Sequence, residues 1–183
     1  LLGHLQKDGF VTVNVIRTED ATYNRIQNEL KSTDYDIVHY AGHGIHVKES
    51  PEDSSLLFWN EPNRKGGVAH LNATELGVLL KQSEVRLLYL SSCYGTTTAD
   101  PAQLLDDDFL GLADAAVYAG VPSIVGFRWP VSDSTAPKMA VEFYKSLLTQ
   151  GSPDIALWKA RTEIAVMNRN DLTWLSPILI QQE

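Results

Sequence analysis

Three short apolar runs constrain the fold of this chain more than any other feature. They are DIVHY at 36–40, VRLLYL at 85–90 and PSIVGF at 122–127, and stretches with helical periodicity lie between them. Strands that are apolar throughout, rather than at every second residue, are typical of parallel sheets covered on both faces. Together with the intervening helices, the runs predict an α/β fold with a mostly parallel central sheet and helices on both faces.

Other local patterns predict the elements around this sheet. Asn72 followed by Glu75 is typical of a capping box at the start of a helix. Asp133 is interpreted as the N-cap of a later helix rather than as a catalytic residue, because a strongly periodic apolar stripe follows it. Strands are also predicted at 10–16, 55–59, 67–70 and 177–180.

Composition excludes several classes of function. The formal charge of −8 argues against direct nucleic-acid binding and against an anionic membrane surface, since both need clustered Lys and Arg. No apolar run approaches a membrane span, and no zinc-site spacing or phosphate-binding glycine loop occurs. We therefore expect no metal, no cofactor and no membrane contact. A single cysteine, Cys93, favours a reducing compartment, and we expect the protein to be cytoplasmic.

Two of the predicted strands end in residues that suit nucleophilic catalysis. The first run leads into Gly42-His43-Gly44, and the second leads into Ser92-Cys93. The two glycines predict that the first strand stops there and turns tightly. Ligands of open α/β sheets bind at the carboxyl ends of the strands, so neighbouring strands would bring the imidazole and the thiol together. Histidine can accept the thiol proton and return it to a leaving amine. His46 is the alternative base.

Several segments resemble the CHAT domain family, whose members are relatives of caspases and separases. HYAGHG at 39–44 is similar to the histidine motif of the family, and YLSSCYG at 89–95 is similar to its cysteine motif. The segments 111–133, 142–151 and 172–180 resemble later parts of the family pattern in the same order. The resemblance therefore covers almost the whole chain.

The resemblance carries further expectations about fold and site. It implies a caspase-like three-layer sandwich whose first strand is missing from this chain, with residues 1–183 forming one peptidase domain in the C-terminal part of a longer protein. It assigns catalysis to His43 and Cys93, and an oxyanion hole to the backbone amides of Gly44 and Cys93. Substrate contacts are expected at Ser91, Arg128 and Trp129; the resemblance supports this for Trp129, for which core packing is the alternative.

The function implied by this resemblance is that of a cysteine endopeptidase acting on a protein substrate. The family suggests a regulated effector in bacterial defence or cell-death signalling. Its activator would be a sensor domain or protein, for example helical repeats or a CRISPR effector complex. The alternative is a catalytically inactive interaction module on the same fold. The loop 94–108 is predicted to order on activation, because it is polar and has few apolar anchors before Leu104.

Overall fold

The computed structural model of this chain describes most of its residues. These are residues 6, 9, 11–47, 49–60, 67–94, 110–129, 131–167, 169 and 171–182. At residues 92–94 and 110 only the backbone is described. The predicted loop 94–108 lies outside the described residues except for the backbone of Tyr94, and so does His4.

Five α-helices and six strands are found within the described ranges. The helices are α1 Tyr23–Ser32, α2 Ala73–Lys81, α3 Leu110–Ala119, α4 Ala136–Gln150 and α5 Pro153–Met167. The strands are β1 Ile37–Ile45, β2 Ser55–Trp59, β3 Val68–Asn72, β4 Leu87–Tyr94, β5 Ser123–Phe127 and β6 Pro177–Gln181. Short 3₁₀ turns occupy Thr18–Asp20, Pro51–Asp53 and Leu172–Leu175.

The six strands form one sheet in the order β3-β2-β1-β4-β5-β6. Both β1 with β4 and β4 with β5 pair in parallel, whereas the hairpin β2–β3 adds to β1 in antiparallel fashion. The predicted α/β fold with a mostly parallel central sheet is therefore confirmed, and the architecture is that of a caspase-like sandwich.

The central strands are buried because their sequences are apolar on both faces. Residues Leu87–Leu90 of β4 are 4% exposed or less, and β5 is buried along its whole length. β4 lies between β1 and β5, and the side chains of its first half are removed from water on both faces of the sheet. This explains why the run VRLLYL lacks the alternation of a half-exposed strand.

The helices begin and end where their capping residues allow. α2 has the predicted capping box: the Glu75 amide donates to Asn72 Oδ1 at 2.8 Å, and the Asn72 amide donates to Glu75 Oε2 at 3.2 Å. The side chain of Thr22 caps α1 by accepting from the Arg25 amide. α4 ends at Gly151, whose φ of 72° lies in the left-handed region that favours glycine.

The chain divides into two compact units, each with its own packing. One comprises residues 1–16 with 131–179, in which α4 and α5 pack together through buried side chains. These include Met139, Phe143, Leu157, Ala160 and Ile164. The other comprises residues 17–130 with 180–183, and it contains β1 to β5, α1 to α3 and both predicted catalytic residues.

Two predictions for segments outside the candidate site are wrong. Residues 11–16 form no strand, although their Val content is typical of one. Asp133 lies exposed in a turn, and α4 begins three residues later, at Ala136, after Thr135. The Thr135 amide donates its hydrogen bond to Ser132 Oγ, 3.1 Å away.

The capping box of α2 gives a stability prediction. Asn72→Ala removes the acceptor of the Glu75 amide and should lower the free energy of unfolding by about 1 kcal/mol. Urea unfolding followed by circular dichroism measures this. Asn28→Ala, an exposed substitution inside α1, is the matched control and should cause no loss. Equal unfolding free energies for Asn72→Ala and the unsubstituted protein would show that the box adds nothing.

Candidate active site

His43 and Cys93 lie opposite each other on neighbouring parallel strands. The β1–β4 register runs without a break from Ile37 with Leu87 to Gly44 with Tyr94, and it pairs His43 with Cys93. Paired strands are separated by about 4.8 Å in the hydrogen-bonding direction, so the two backbone positions are as close as a sheet permits. The prediction that these residues sit on adjacent parallel strands, at the same edge of the sheet, is confirmed for their backbones.

The strand β1 is longer than its glycines predict. Gly42 and Gly44 both lie within it, and neither has a positive φ. The predicted tight turn at this point is therefore wrong: parallel pairing with β4 carries the backbone on to Ile45. Gly44 itself is buried, in register with Leu56 of β2 on one side and Tyr94 of β4 on the other.

One face of β1 changes from half-buried to exposed along the strand. His39 packs its ring against that of Tyr89, with ring centroids 4.6 Å apart and planes at 40°. Ala41 is exposed beside half-buried Ser91, and His43 is exposed at the next position of this face. The imidazole of His43 is thus open to solvent at the carboxyl end of the sheet.

Burial gives His39 a different electrostatic character. It lowers the pKa of this histidine to about 4, so its ring is neutral near neutral pH. Burial also raises the pKa of the neighbouring Tyr89 hydroxyl. The rings of His39 and Tyr89 lie on the face of the sheet that carries positions 43 and 93, further from the carboxyl edge, and form an aromatic floor. Phe127 of β5 extends this floor, with its ring 5.9 Å from that of Tyr89.

The alternative base, His46, lies beyond the end of β1 and outside the β1–β4 register. Its Nδ1 is 3.4 Å from Ser54 Oγ, which also accepts a hydrogen bond from the Val47 amide at 3.1 Å. His70 lies on β3, where its Nδ1 is 3.1 Å from Ser55 Oγ. Of the histidines that the structure describes, His43 is the one placed opposite the cysteine.

The predicted substrate contacts lie close to this rung along the sheet. Ser91 is two residues before Cys93 on β4 and pairs with Ala41. Arg128 and Trp129 follow directly after β5, which pairs with β4 in parallel, so they leave the sheet at the edge where β4 carries its cysteine. Arg128 is exposed and Trp129 is half-buried. The substrate and oxyanion assignments themselves stay predictions.

Sequence reasoning missed one residue at this site, Tyr40. Its hydroxyl lies 2.6 Å from the carbonyl oxygen of His43 and 3.2 Å from the amide nitrogen of Leu57. A usable signal was present in the sequence. Residues two apart in a strand share a face, and Gly42 leaves room for a tyrosine ring to lie along its own strand.

Comparison with known protein families assigns almost the whole chain to one family. The model of the CHAT domain matches residues 2–180. Comparison with curated proteins gives no significant match.

Among the described residues, no group of three or more His, Cys, Asp and Glu side chains could hold a metal ion. In the same part of the chain, no helix is both long and apolar enough to cross a membrane.

The buried histidine predicts a pH dependence of stability. The pKa of His39 is about 4 in the folded protein and about 6.5 when unfolded. Between these values the unfolded chain binds a proton that the folded chain does not, so stability falls as the pH drops from about 6.5 to 4. His39→Gln should flatten this dependence in urea unfolding at pH 7 and pH 5. His70→Gln, exposed on β3, is the control. Identical slopes for His39→Gln and the unsubstituted protein would contradict the assignment.

Proposed function

Because this chain belongs to the CHAT domain family, which is caspase-like, we propose that it is a cysteine endopeptidase that cleaves a protein substrate. The observation that carries this proposal is the register of β1 and β4, which sets His43 opposite Cys93. The two residues are 50 positions apart in sequence, yet they share one rung at the carboxyl edge of the sheet. Opposite positions of a parallel pair share a face of the sheet, as a nucleophile and its base require.

The proposed reaction follows from the chemistry of this pair. His43 takes the thiol proton, and the Cys93 thiolate attacks the carbonyl carbon of the scissile peptide bond. Collapse of the tetrahedral intermediate breaks the C–N bond, and the imidazolium returns its proton to the leaving amine. His43 then removes a proton from water, which attacks the thioester and releases the acid and the free thiol. The exposure of His43 suits a base that must meet both a substrate and water.

Backbone amides are the proposed stabilisers of the oxyanion. The amide of Cys93 is next to the attacked carbon, and the amide of Gly44 follows the base directly. Gly44 is buried between β2 and β4 in this structure. Because Gly44 is removed from solvent, we expect its donation to a substrate to follow a local rearrangement at the end of β1, a step suited to a regulated enzyme.

The substrate is proposed to lie across the end of the sheet. Ser91 and Ala41 are small and form the next rung on the same face as the pair, so they leave space above the aromatic floor. Arg128 and Trp129 would line the side contributed by β5. An exposed guanidinium at this place favours an acidic group on the substrate.

The biological role is proposed from the family and the charge. The protein would be a regulated effector of defence or cell death that acts in the cytoplasm on a protein substrate. Its activator would be a sensor built from helical repeats or a CRISPR effector complex. The charge of −8 is consistent with nucleic acid being sensed by such a partner rather than by this domain.

The nucleophile assignment can be tested without knowing the natural substrate. Cys93 is the single cysteine of this sequence, so a peptide-like chloromethyl or acyloxymethyl ketone that modifies a cysteine reports on this residue alone. We expect one label per chain, and none on Cys93→Ala. A chain that is folded and accompanied by its activator, yet takes up no label, would indicate the inactive interaction module instead.

The base assignment is tested by comparing two histidines. His43→Ala should slow both labelling and peptide cleavage by about 10²- to 10⁴-fold, the usual contribution of a general base. His46→Ala is the matched control, because it lies three residues away but outside the β1–β4 register, and it should keep the rate. The opposite pattern, with His46→Ala inactive and His43→Ala active, would transfer the role to His46.

A further inference from the structure

The pairing of β1 with β2 stops one rung short of the proposed base. Gly44 pairs with Leu56 and Ile45 pairs with Ser55. In an antiparallel pair the residue numbers of each rung have a constant sum, so the next rung would join His43 to Leu57. The register ends before this rung, although both residues lie within their strands.

The hydroxyl of Tyr40 occupies the place of the missing rung. It accepts a hydrogen bond from the Leu57 amide at 3.2 Å, and it lies 2.6 Å from the carbonyl oxygen of His43 and 2.8 Å from that of Leu57. A phenol has one proton, and the shorter distance favours donation to His43. A direct amide-to-carbonyl bond between the strands is thus replaced by a relay through one side-chain oxygen.

Two neighbours hold the tyrosine in this place. A Cβ at Gly42 would lie 2.6 Å from the Tyr40 hydroxyl oxygen and 2.8 Å from Cζ, so a residue with a side chain there displaces the ring. The ring also meets Phe58 edge to face at 5.3 Å, and Phe58 is buried. The tyrosine is therefore fixed both at its ring and at its hydroxyl.

We propose that Tyr40 is a positioning residue that fixes the backbone of His43 opposite Cys93 by holding the His43 carbonyl oxygen with its hydroxyl. This rests on the proposed function of the pair. On one side His43 is held by the β1–β4 ladder, and on the other side by Tyr40 instead of by β2. Without the hydroxyl, β1 either closes onto β2 or leaves its rung unmade. In both cases the imidazole moves relative to the sulfur.

The experiment compares Tyr40→Phe, which deletes the hydroxyl and keeps the ring, with the unsubstituted chain. The first readout is the rate of Cys93 alkylation by iodoacetamide from pH 5 to pH 10. We expect its pH midpoint to move to higher pH by about one unit, with about a tenfold slower rate at pH 7, because a displaced base stabilises the thiolate less well. The second readout is peptide cleavage, where kcat should fall more than tenfold while KM changes little.

Tyr35→Phe is the matched control for this substitution. It deletes a tyrosine hydroxyl that donates to Glu29 at 2.7 Å, away from the β1–β4 rung, and it should leave the alkylation profile unchanged. Gly42→Ala is a second route to the same result, because its methyl group displaces the Tyr40 ring. We expect it to reproduce the shift of Tyr40→Phe. Circular dichroism confirms that each variant is folded.

The outcomes separate this inference from the proposed function. An unsubstituted chain with the same alkylation profile as His43→Ala would refute the Cys–His pair, and the role of Tyr40 with it. The positioning role alone would be overturned by a different result. In that result the unsubstituted chain, Tyr40→Phe and Gly42→Ala share one alkylation profile, and His43→Ala has another. In that case Tyr40 serves only to stabilise the β1–β2 junction.

Discussion

The parallel pairing of β1 with β4 is the constraint on which the candidate site depends. It joins two segments 50 residues apart, and no local pattern in either segment specifies the partner. The pairing is set by burial: Leu88, Tyr89 and Leu90 are almost wholly removed from water, so β4 belongs in the middle of the sheet. Once Ile37 pairs with Leu87, the register fixes every later rung up to Gly44 with Tyr94. A slip of one residue would move His43 away from Cys93 and also exchange the buried and exposed faces of β1.

The connections along the chain explain why this pairing forms. The hairpin β2–β3 adds to the outer side of β1, and α2 then returns the chain so that β4 pairs with β1 on the inner side. α3 makes the next return, from β4 to β5, and α2 and α3 pack together. Parallel neighbouring strands need such crossover connections. Right-handed crossovers that run in the same direction along the sheet place their helices on the same face of the sheet. The α2 capping box therefore contributes to the site indirectly, by fixing where the chain leaves β3.

The elements that could be predicted from the sequence are those whose signal is local or strongly buried. Such signals are present in the apolar runs of β1, β4 and β5 and in the capping box at Asn72, and the structure confirms these elements. The failed predictions relied on propensity alone. Residues 11–16 have the composition of a strand but pair with no strand that the structure describes. Asp133 suits an N-cap, but α4 begins at Ala136, and Ser132 Oγ accepts the hydrogen bond of the Thr135 amide.

The segment Tyr40-Ala41-Gly42-His43-Gly44 shows why the rest of the site could not be derived from residue types. A strand alternates its faces, so this one sequence carries two interleaved sets of residues. Ala41 and His43 form the exposed set. Tyr40, Gly42 and Gly44 form the other set, in which Gly42 leaves room for the tyrosine ring and Gly44 is buried between two strands. If this segment were a loop, its glycines would indicate a flexible backbone around His43. Read as a strand, they mean close packing behind it, with the backbone of His43 held on both sides while its imidazole stays open to solvent.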